Sequence, residues 1–309
     1  MMITILMATF NGEKYIDEQI QSILSQSVDN WKLIIQDDCS TDSTVRIIQK
    51  YLVKYPDKIT IVQRQSPSRS AKTNFISMLE MAKSDYVMTC DQDDIWLPNK
   101  VELTLKKMRD MECEYGKDIP LLVHTDLKVV NENLEVVAES MFRYQNLDSR
   151  RISFNNLLVQ NIVTGCTMMF NRPLLNLADN VPDESIMHDW WFALVAAAFG
   201  KIGFVKEPTI LYRQHRSNEI GAKDVRSFLY NLKRSLDKEG NRVALQCRYN
   251  QAAAFLGLFE KELTDECLRY LKAYISIPNY MKIKRIKIIW DYDFWMTGFV
   301  RKCGQILYI

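Results

Sequence analysis

Glycine is scarce in this chain of 309 residues, with ten in all, and no stretch reads GxGxxG or GxxxxGK[ST]. Those patterns let backbone approach a pyrophosphate or triphosphate, so dinucleotide and P-loop cradles are excluded. Any phosphate must be held another way, and a metal on carboxylates is the obvious one. Histidine is scarcer still. His124, His188 and His215 are all there are, which rules out a His-rich zinc centre. The seven cysteines (Cys39, Cys90, Cys113, Cys166, Cys247, Cys267, Cys303) make no CxxC pair, and their number is odd. That usage suits reduced thiols in a cytosolic protein and excludes a secreted disulfide scaffold. Charge of one sign is not in excess either. With 40 Lys+Arg against 38 Asp+Glu the net charge is +2, so no whole-chain field points to nucleic acid. Long apolar runs are missing, since Trp190–Phe199 is far too short to cross a bilayer. The apolar start MMITILMATF stops at Asn11-Gly12 without the basic region or cleavage site of a signal peptide. No Ser-His-Asp or catalytic-cysteine pattern stands out.

What remains is ordinary globular composition, 47% apolar and 25% charged. At this length the core needs no disulfide or metal staple. The first hundred residues alternate between two periods. Ile3–Thr9, Trp31–Gln36, Ile59–Val62 and Asp85–Thr89 are short apolar runs that read as strands. Between them, Ile16/Ile20/Ile23/Leu24, Val45/Ile48/Leu52 and Phe75/Met78/Leu79/Ala82 recur at helical spacing. Such alternation implies an α/β fold with a mostly parallel, Rossmann-like sheet covered on both faces. Val101–Met111 reads as a further helix. Leu121–His124, Lys128–Val130, Cys166–Phe170, Ile202–Val205 and Ile210–Tyr212 read as strands, and Trp190–Phe199 as a core helix. From about Ser227 the pattern is helical. This predicts one domain over 1–222 and a helical C-terminal extension over 223–309.

Ligands of open α/β sheets sit beyond the carboxyl ends of the strands. Three predicted strands end in Thr9-Phe10-Asn11, Asp37-Asp38 and Asp91-Gln92-Asp93-Asp94, which should converge on one side. On extended chain Asp91 and Asp93 would face one ligand together, as paired carboxylates suited to Mg²⁺ or Mn²⁺ on a diphosphate. The same acids also read as a solvated turn before the helix at Pro98. Asp38 reads either as part of a helix-capping turn or as an acceptor for a base or sugar. Asp189 reads as a helix N-cap or, beside His188 and Trp190-Trp191-Phe192, as a general base. His215 reads as a loop residue or, placed near Asp93, as part of a metal shell, with the arginines beside it offsetting phosphate. Residues 281–309 carry six basic groups against two acids, interleaved with Trp290, Tyr292, Phe294, Trp295 and Phe299. That tail reads either as a packed helix with a solvated basic face or as a helix lying on anionic lipid.

Three segments, Ile5–Gly12, Ile34–Asp42 and Cys90–Pro98, together resemble the family 2 inverting glycosyltransferases of GT-A fold, and the resemblance runs from residue 3 to about 218. The form DQDDIWLP is similar to the rhamnosyltransferase-like branch that builds bacterial cell-surface polysaccharides. The resemblance implies a nucleotide-diphospho-sugar transferase with Ala8 and Asp38 lining the nucleotide pocket, and Thr9, Asn11 and Gln92 on the donor from the same strand ends. Asp91 and Asp93 would be the DxD pair, Asp93 the more direct metal ligand. Asp189 would be the catalytic base, His215 a late metal or diphosphate contact, and Arg69 or Lys72 a diphosphate contact. Cys39 departs from the family, which usually has Gly after the paired acids. A loop over 213–223, polar and bearing Gly221, would be a lid over the donor.

The implied reaction is a single inverting displacement. It carries a sugar, on branch resemblance L-rhamnose from dTDP-rhamnose, to a hydroxyl of a growing lipid-linked polysaccharide. The setting would be cytoplasmic, peripheral on the inner membrane face through 281–309. A UDP-hexose donor is the alternative. A sugar-1-phosphate nucleotidyltransferase is a rival, but Ala8–Glu13 lacks the Gly-rich, basic triphosphate loop. A non-catalytic sugar-nucleotide binder is the other.

Overall fold

The computed structural model describes residues 2–215 and 237–309. Its sheet grows outward from β1 (Ile3–Thr9), where Ile5, Leu6 and Met7 are wholly buried because both faces are covered. Each such side chain contributes about 1.5–3 kcal/mol relative to exposure. α1 (Ile16–Leu24), β2 (Trp31–Asp37), α2 (Thr44–Lys54), β3 (Ile59–Gln63), α3 (Ala71–Met78) and β4 (Tyr86–Cys90) follow in strict alternation. β1 pairs in parallel with β2, Ile3 opposite Trp31 through Thr9 opposite Asp37, and with β4, Met7 opposite Cys90. β3 extends the same parallel layer beyond β2. The two-residue β5 (Ile95–Trp96) then leads into α4 (Lys100–Tyr115).

The second half of the sheet is mixed. It holds β6 (Leu121–Val130), β7 (Val136–Ala138), β8 (Met169–Asn171) and β9 (Lys201–Arg213), giving the order β3-β2-β1-β4-β8-β6-β9-β5 with β7 on β6. β8 runs antiparallel to both β4 and β6, and β6 and β9 run parallel to each other. Two expectations are corrected here. Leu121–His124 and Lys128–Val130 form one strand, and so do Ile202–Val205 and Ile210–Tyr212. The polar residues that suggested breaks sit at register shifts around Asp126, which lies opposite Pro208. A bulge accommodates proline, which cannot donate to the ladder. The Asp126 carboxylate is satisfied by the N–H groups of Leu127 (2.8 Å) and Met141 (3.1 Å).

The remaining helices are α5 (Met141–Tyr144), α6 (Phe154–Val159), α7 (Arg172–Ala178), α8 (His188–Phe199), α9 (Lys238–Phe259), α10 (Asp265–Ser276), α11 (Lys282–Asp291) and α12 (Phe299–Tyr308). The described chain divides into two units, each discontinuous. One is the sheet unit, residues 2–141, 163–179 and 201–215. The other takes in 142–162, 180–200 and the described residues from 237. The expected boundary at 222 lies outside the described residues. The second unit differs from a purely C-terminal extension because α6 and α8 belong to it: Trp190 Nε1 donates to the Leu157 carbonyl at 2.6 Å. Its core is aromatic, with Phe255 centred 5.3 Å from Phe154, 5.2 Å from Trp191 and 4.9 Å from Phe259.

Candidate functional site

The parallel strands β2, β1 and β4 end side by side, and hydrogen bonds lace those ends together. Thr9 Oγ1 donates to Asp37 Oδ1 at 3.0 Å, and the Asp38 N–H donates to the Thr9 carbonyl at 2.8 Å. Gln92 grips the backbone of Phe10 at two points, accepting its N–H and donating to its carbonyl, each at 2.9 Å. Gly12 makes that approach possible, since a Cβ there would fall 2.3 Å from Gln92 Oε1. Asn11, at φ 45°, accepts the Thr41 N–H on its side-chain carbonyl at 2.8 Å. Thr9, Asn11 and Gln92 therefore bind neighbouring loops, and Ala8 lies half-buried on β1 opposite Gln36.

Asp38 does not cap a helix. Its carboxylate accepts the N–H groups of Ser68 (2.6 Å) and Arg69 (3.0 Å) and the Ser68 hydroxyl (2.9 Å), and pairs with Arg64 at 3.3 Å. It thereby fixes the 64–70 loop, in which Arg69 is exposed at φ 56°. Lys72 is half-buried in the first turn of α3.

The acidic segment departs from the extended form expected of it. β4 stops at Cys90, and 91–94 bends before β5. Strand alternation does not apply there, and the four residues divide their partners. Asp93 Oδ2 meets His215 Nε2 at 2.8 Å, and both side chains are mostly buried. Residues 122 positions apart are thus joined, as the metal-shell reading of His215 requires. The imidazole stacks on Tyr15, with centroids 4.7 Å apart at 24°. Asp91, half-buried, brings a carboxylate oxygen within 4.8 Å of one from buried Asp94 and of the Cys166 sulfur. Burial, then the charges of Asp93 and Asp91, push the Asp94 carboxyl well above the usual carboxylate range. Burial likewise raises the Cys166 thiol. Beneath them Lys100, wholly buried at the start of α4, is pushed down to about 8, and its ammonium lies 4.6 Å from the Trp96 ring centre.

Arg213 is not the phosphate contact expected beside His215. It is 3% exposed and ties the acidic bend in place. Its Nε donates to the Asp93 carbonyl (2.9 Å), Nη1 to the Glu132 carbonyl (2.9 Å) and Nη2 to Glu18, with its backbone N–H on Asp94 Oδ1 (3.1 Å). The guanidinium also covers Tyr15 at 4.7 Å. Arg216 and the 216–223 part of the expected lid lie outside the described residues. Sequence reasoning missed Tyr15, Lys100 and Cys166 as members of this cluster and named Asp94 only as part of the acidic segment. A tyrosine among Glu13 and Lys14, or an apolar-flanked cysteine, carries no periodic signal.

The donor set suits a hard divalent cation. Asp93 and His215 offer a carboxylate and an imidazole in contact, Asp91 offers a second carboxylate grouped with Asp94, and these oxygens and nitrogen suit Mg²⁺ or Mn²⁺, while the two thiols nearby, Cys90 and Cys166, are held protonated by burial. Asp189 belongs to the other unit. It stands half-buried in the first turn of α8, whose N-cap is Met187, and accepts the Trp190 N–H at 2.5 Å. The N-cap reading therefore fails.

A sequence model of glycosyl transferase family 2 matches residues 4–176. Among curated proteins, the dTDP-rhamnosyl transferase RfbG of Shigella flexneri is 28% identical over 230 residues, 70% of this chain and 74% of its own. The putative glycosyltransferase EpsE of Bacillus subtilis (strain 168) is 39% identical over 100 residues, 32% of this chain and 36% of its own. Several other curated relatives are likewise matched over less than two thirds of their own length. Among solved structures, S. aureus TarS 1-349 in complex with UDP-GlcNAc superposes with a TM-score of 0.55 at 18% identity. That match covers 99% of this chain and 90% of the other. At that identity the likeness speaks for the fold, the GT-A type.

Proposed function

Because the chain belongs to glycosyl transferase family 2, we propose that it transfers a sugar from a nucleotide-sugar donor to a glycan hydroxyl with inversion, using Mg²⁺ or Mn²⁺. The observation that carries this reading is the Asp93–His215 pair at the carboxyl end of β4, beside Asp91. Asp93, Asp91 and His215 would hold the cation, which offsets charge on the departing diphosphate. Tyr15 and Arg213 keep imidazole and acidic bend in register. Ala8 and Asp38 line the nucleotide side, and Thr9, Asn11 and Gln92 brace the strand ends around it. Arg69 and Lys72 place positive charge near the diphosphate. Asp189 takes the proton from the acceptor hydroxyl as that oxygen attacks the anomeric carbon from the opposite face. One displacement inverts the centre, with no second carboxylate as nucleophile.

For the donor we infer dTDP-rhamnose, supported by the match to RfbG over most of both chains. The acceptor fits a lipid-linked cell-surface polysaccharide in the cytoplasm. The test is nucleoside diphosphate release from a panel of sugar nucleotides, dTDP-rhamnose and UDP-hexoses included, with Mg²⁺, Mn²⁺ or EDTA. Release should be metal-dependent and fastest from dTDP-rhamnose, and Asp93→Ala should abolish it. Faster release from a UDP-hexose would reassign the donor. Pyrophosphate release from a nucleoside triphosphate would mean a nucleotidyltransferase. Asp189→Asn should lose at least 10²-fold in transfer while still binding donor by calorimetry. Near-wild-type transfer would remove Asp189 from the base role.

A further inference from the structure

The C-terminal helices of the second unit leave an unusual surface uncovered. Seven of the fifteen large apolar side chains that are exposed among the described residues fall within 281–309. Met281, Ile283, Trp290 and Phe299 are 86%, 86%, 74% and 81% exposed, with Val300, Ile306 and Leu307 alongside. Scattered single residues of this kind need no explanation, but a contiguous set does. On α11, Ile283, Lys287 and Trp290 repeat at four and three residues and so share one outward stripe. On α12, Phe299, Lys302, Cys303 and Ile306 repeat likewise, and that helix contains no buried residue at all. Contacts at both ends of α11 link the two helices. Lys282 Nζ donates to the Leu307 carbonyl at 3.3 Å, and the Trp290 ring meets Trp295 edge-on at 6.2 Å, with the Lys302 ammonium 5.9 Å from Trp295.

The composition of this surface selects its occupant. Lys282, Lys284, Lys287 and Lys302 are interleaved with the apolar side chains, whereas Asp293, one of the two acids of the segment, pairs with Arg151 at 3.4 Å. Protein–protein interface cores are depleted in lysine. A bilayer surface rewards the combination instead. Lysine stems lie along the apolar boundary while their ammonium groups reach anionic headgroups, and tryptophan favours that same depth. No described helix is long and apolar enough to cross a membrane, so the association would be one of helices lying in the interface.

We propose that α11 and α12 together form a docking face for the surface of a bilayer containing anionic lipid. The face belongs to the helical unit and does not depend on the transferase reading. The test is co-sedimentation of the full chain with vesicles of phosphatidylcholine alone or mixed with phosphatidylglycerol, at low and high salt. Binding should require phosphatidylglycerol and weaken with salt. The double variant Ile283→Glu/Phe299→Glu, at two positions more than four-fifths exposed, should lose at least tenfold in partitioning with an unchanged thermal midpoint. Replacing Lys282, Lys284 and Lys287 by Gln should cost about fivefold for each charge removed. Absence of binding to anionic vesicles at low salt, or undiminished binding by the double variant, would overturn the proposal. So would a concentration-dependent dimer that the double variant dissolves, which would give the face to a second copy.

Discussion

Cys39 occupies a position at which its side chain works against its backbone. At φ 63° it lies in the left-handed region, which costs a non-glycine residue about 1–2 kcal/mol. Its thiol recovers part of that by donating to the Arg64 carbonyl at 3.3 Å. Cys39→Gly should therefore raise stability by about 0.5–1 kcal/mol, read as a higher urea midpoint. A lower midpoint would mean that the thiol contact outweighs the strain. The same residue shows what a sequence can reveal at this scale. Its departure from the glycine usual in the family marks the turn, but the positive φ belongs to the folded backbone and has no sequence signal of its own. Asp93 and His215 are legible as candidate partners from their chemistry and from family resemblance, but no local pattern connects residues so far apart. Asp94 carried no distinction from Asp93 in sequence, yet it is wholly buried and its carboxyl is pushed well above the usual range.

At the scale of elements, the alternating periods of the first hundred residues gave the parallel layer directly, because strands buried on both faces are uninterrupted apolar runs. The second half was less legible. β6 and β9 carry polar interruptions at a bulge, and the two-residue β5 is too short for any periodicity to register. The end of β9 is also where the site depends most on one side chain. Arg213 supplies two hydrogen bonds to backbone carbonyls and one to Glu18 from a rigid planar fork, which lysine cannot reproduce. Arg213→Lys should cost about 3 kcal/mol in chemical denaturation and at least tenfold in turnover. If both remain at the wild-type level, the acidic bend is held by Asp94 and the ladder alone.

Across the whole molecule, each unit buries a neutral imidazole. Burial pushes His124 in the sheet unit and His188 in the helical unit down to about 3. Between an ordinary histidine value near 6.5 and 3, the unfolded chain binds a proton at each site and the folded chain does not. Stability is therefore full above about 6.5 and falls as the pH drops through that window, by about 1.4 kcal/mol per pH unit for each histidine. His124→Leu should flatten the acid limb of stability measured by urea unfolding between pH 6.5 and 4, and an unaltered slope would show that His124 does not drive it. The order β4-β8-β6 has a further consequence, for synthesis. β8, only Met169–Asn171, is the splice between the parallel layer and the β6–β9 half. Between the emergence of β4 from the ribosome and that of β8, β4 has one edge bare, a template on which another nascent chain could pair. The chain is thus most in need of a chaperone's shelter midway through translation, well before either unit is complete.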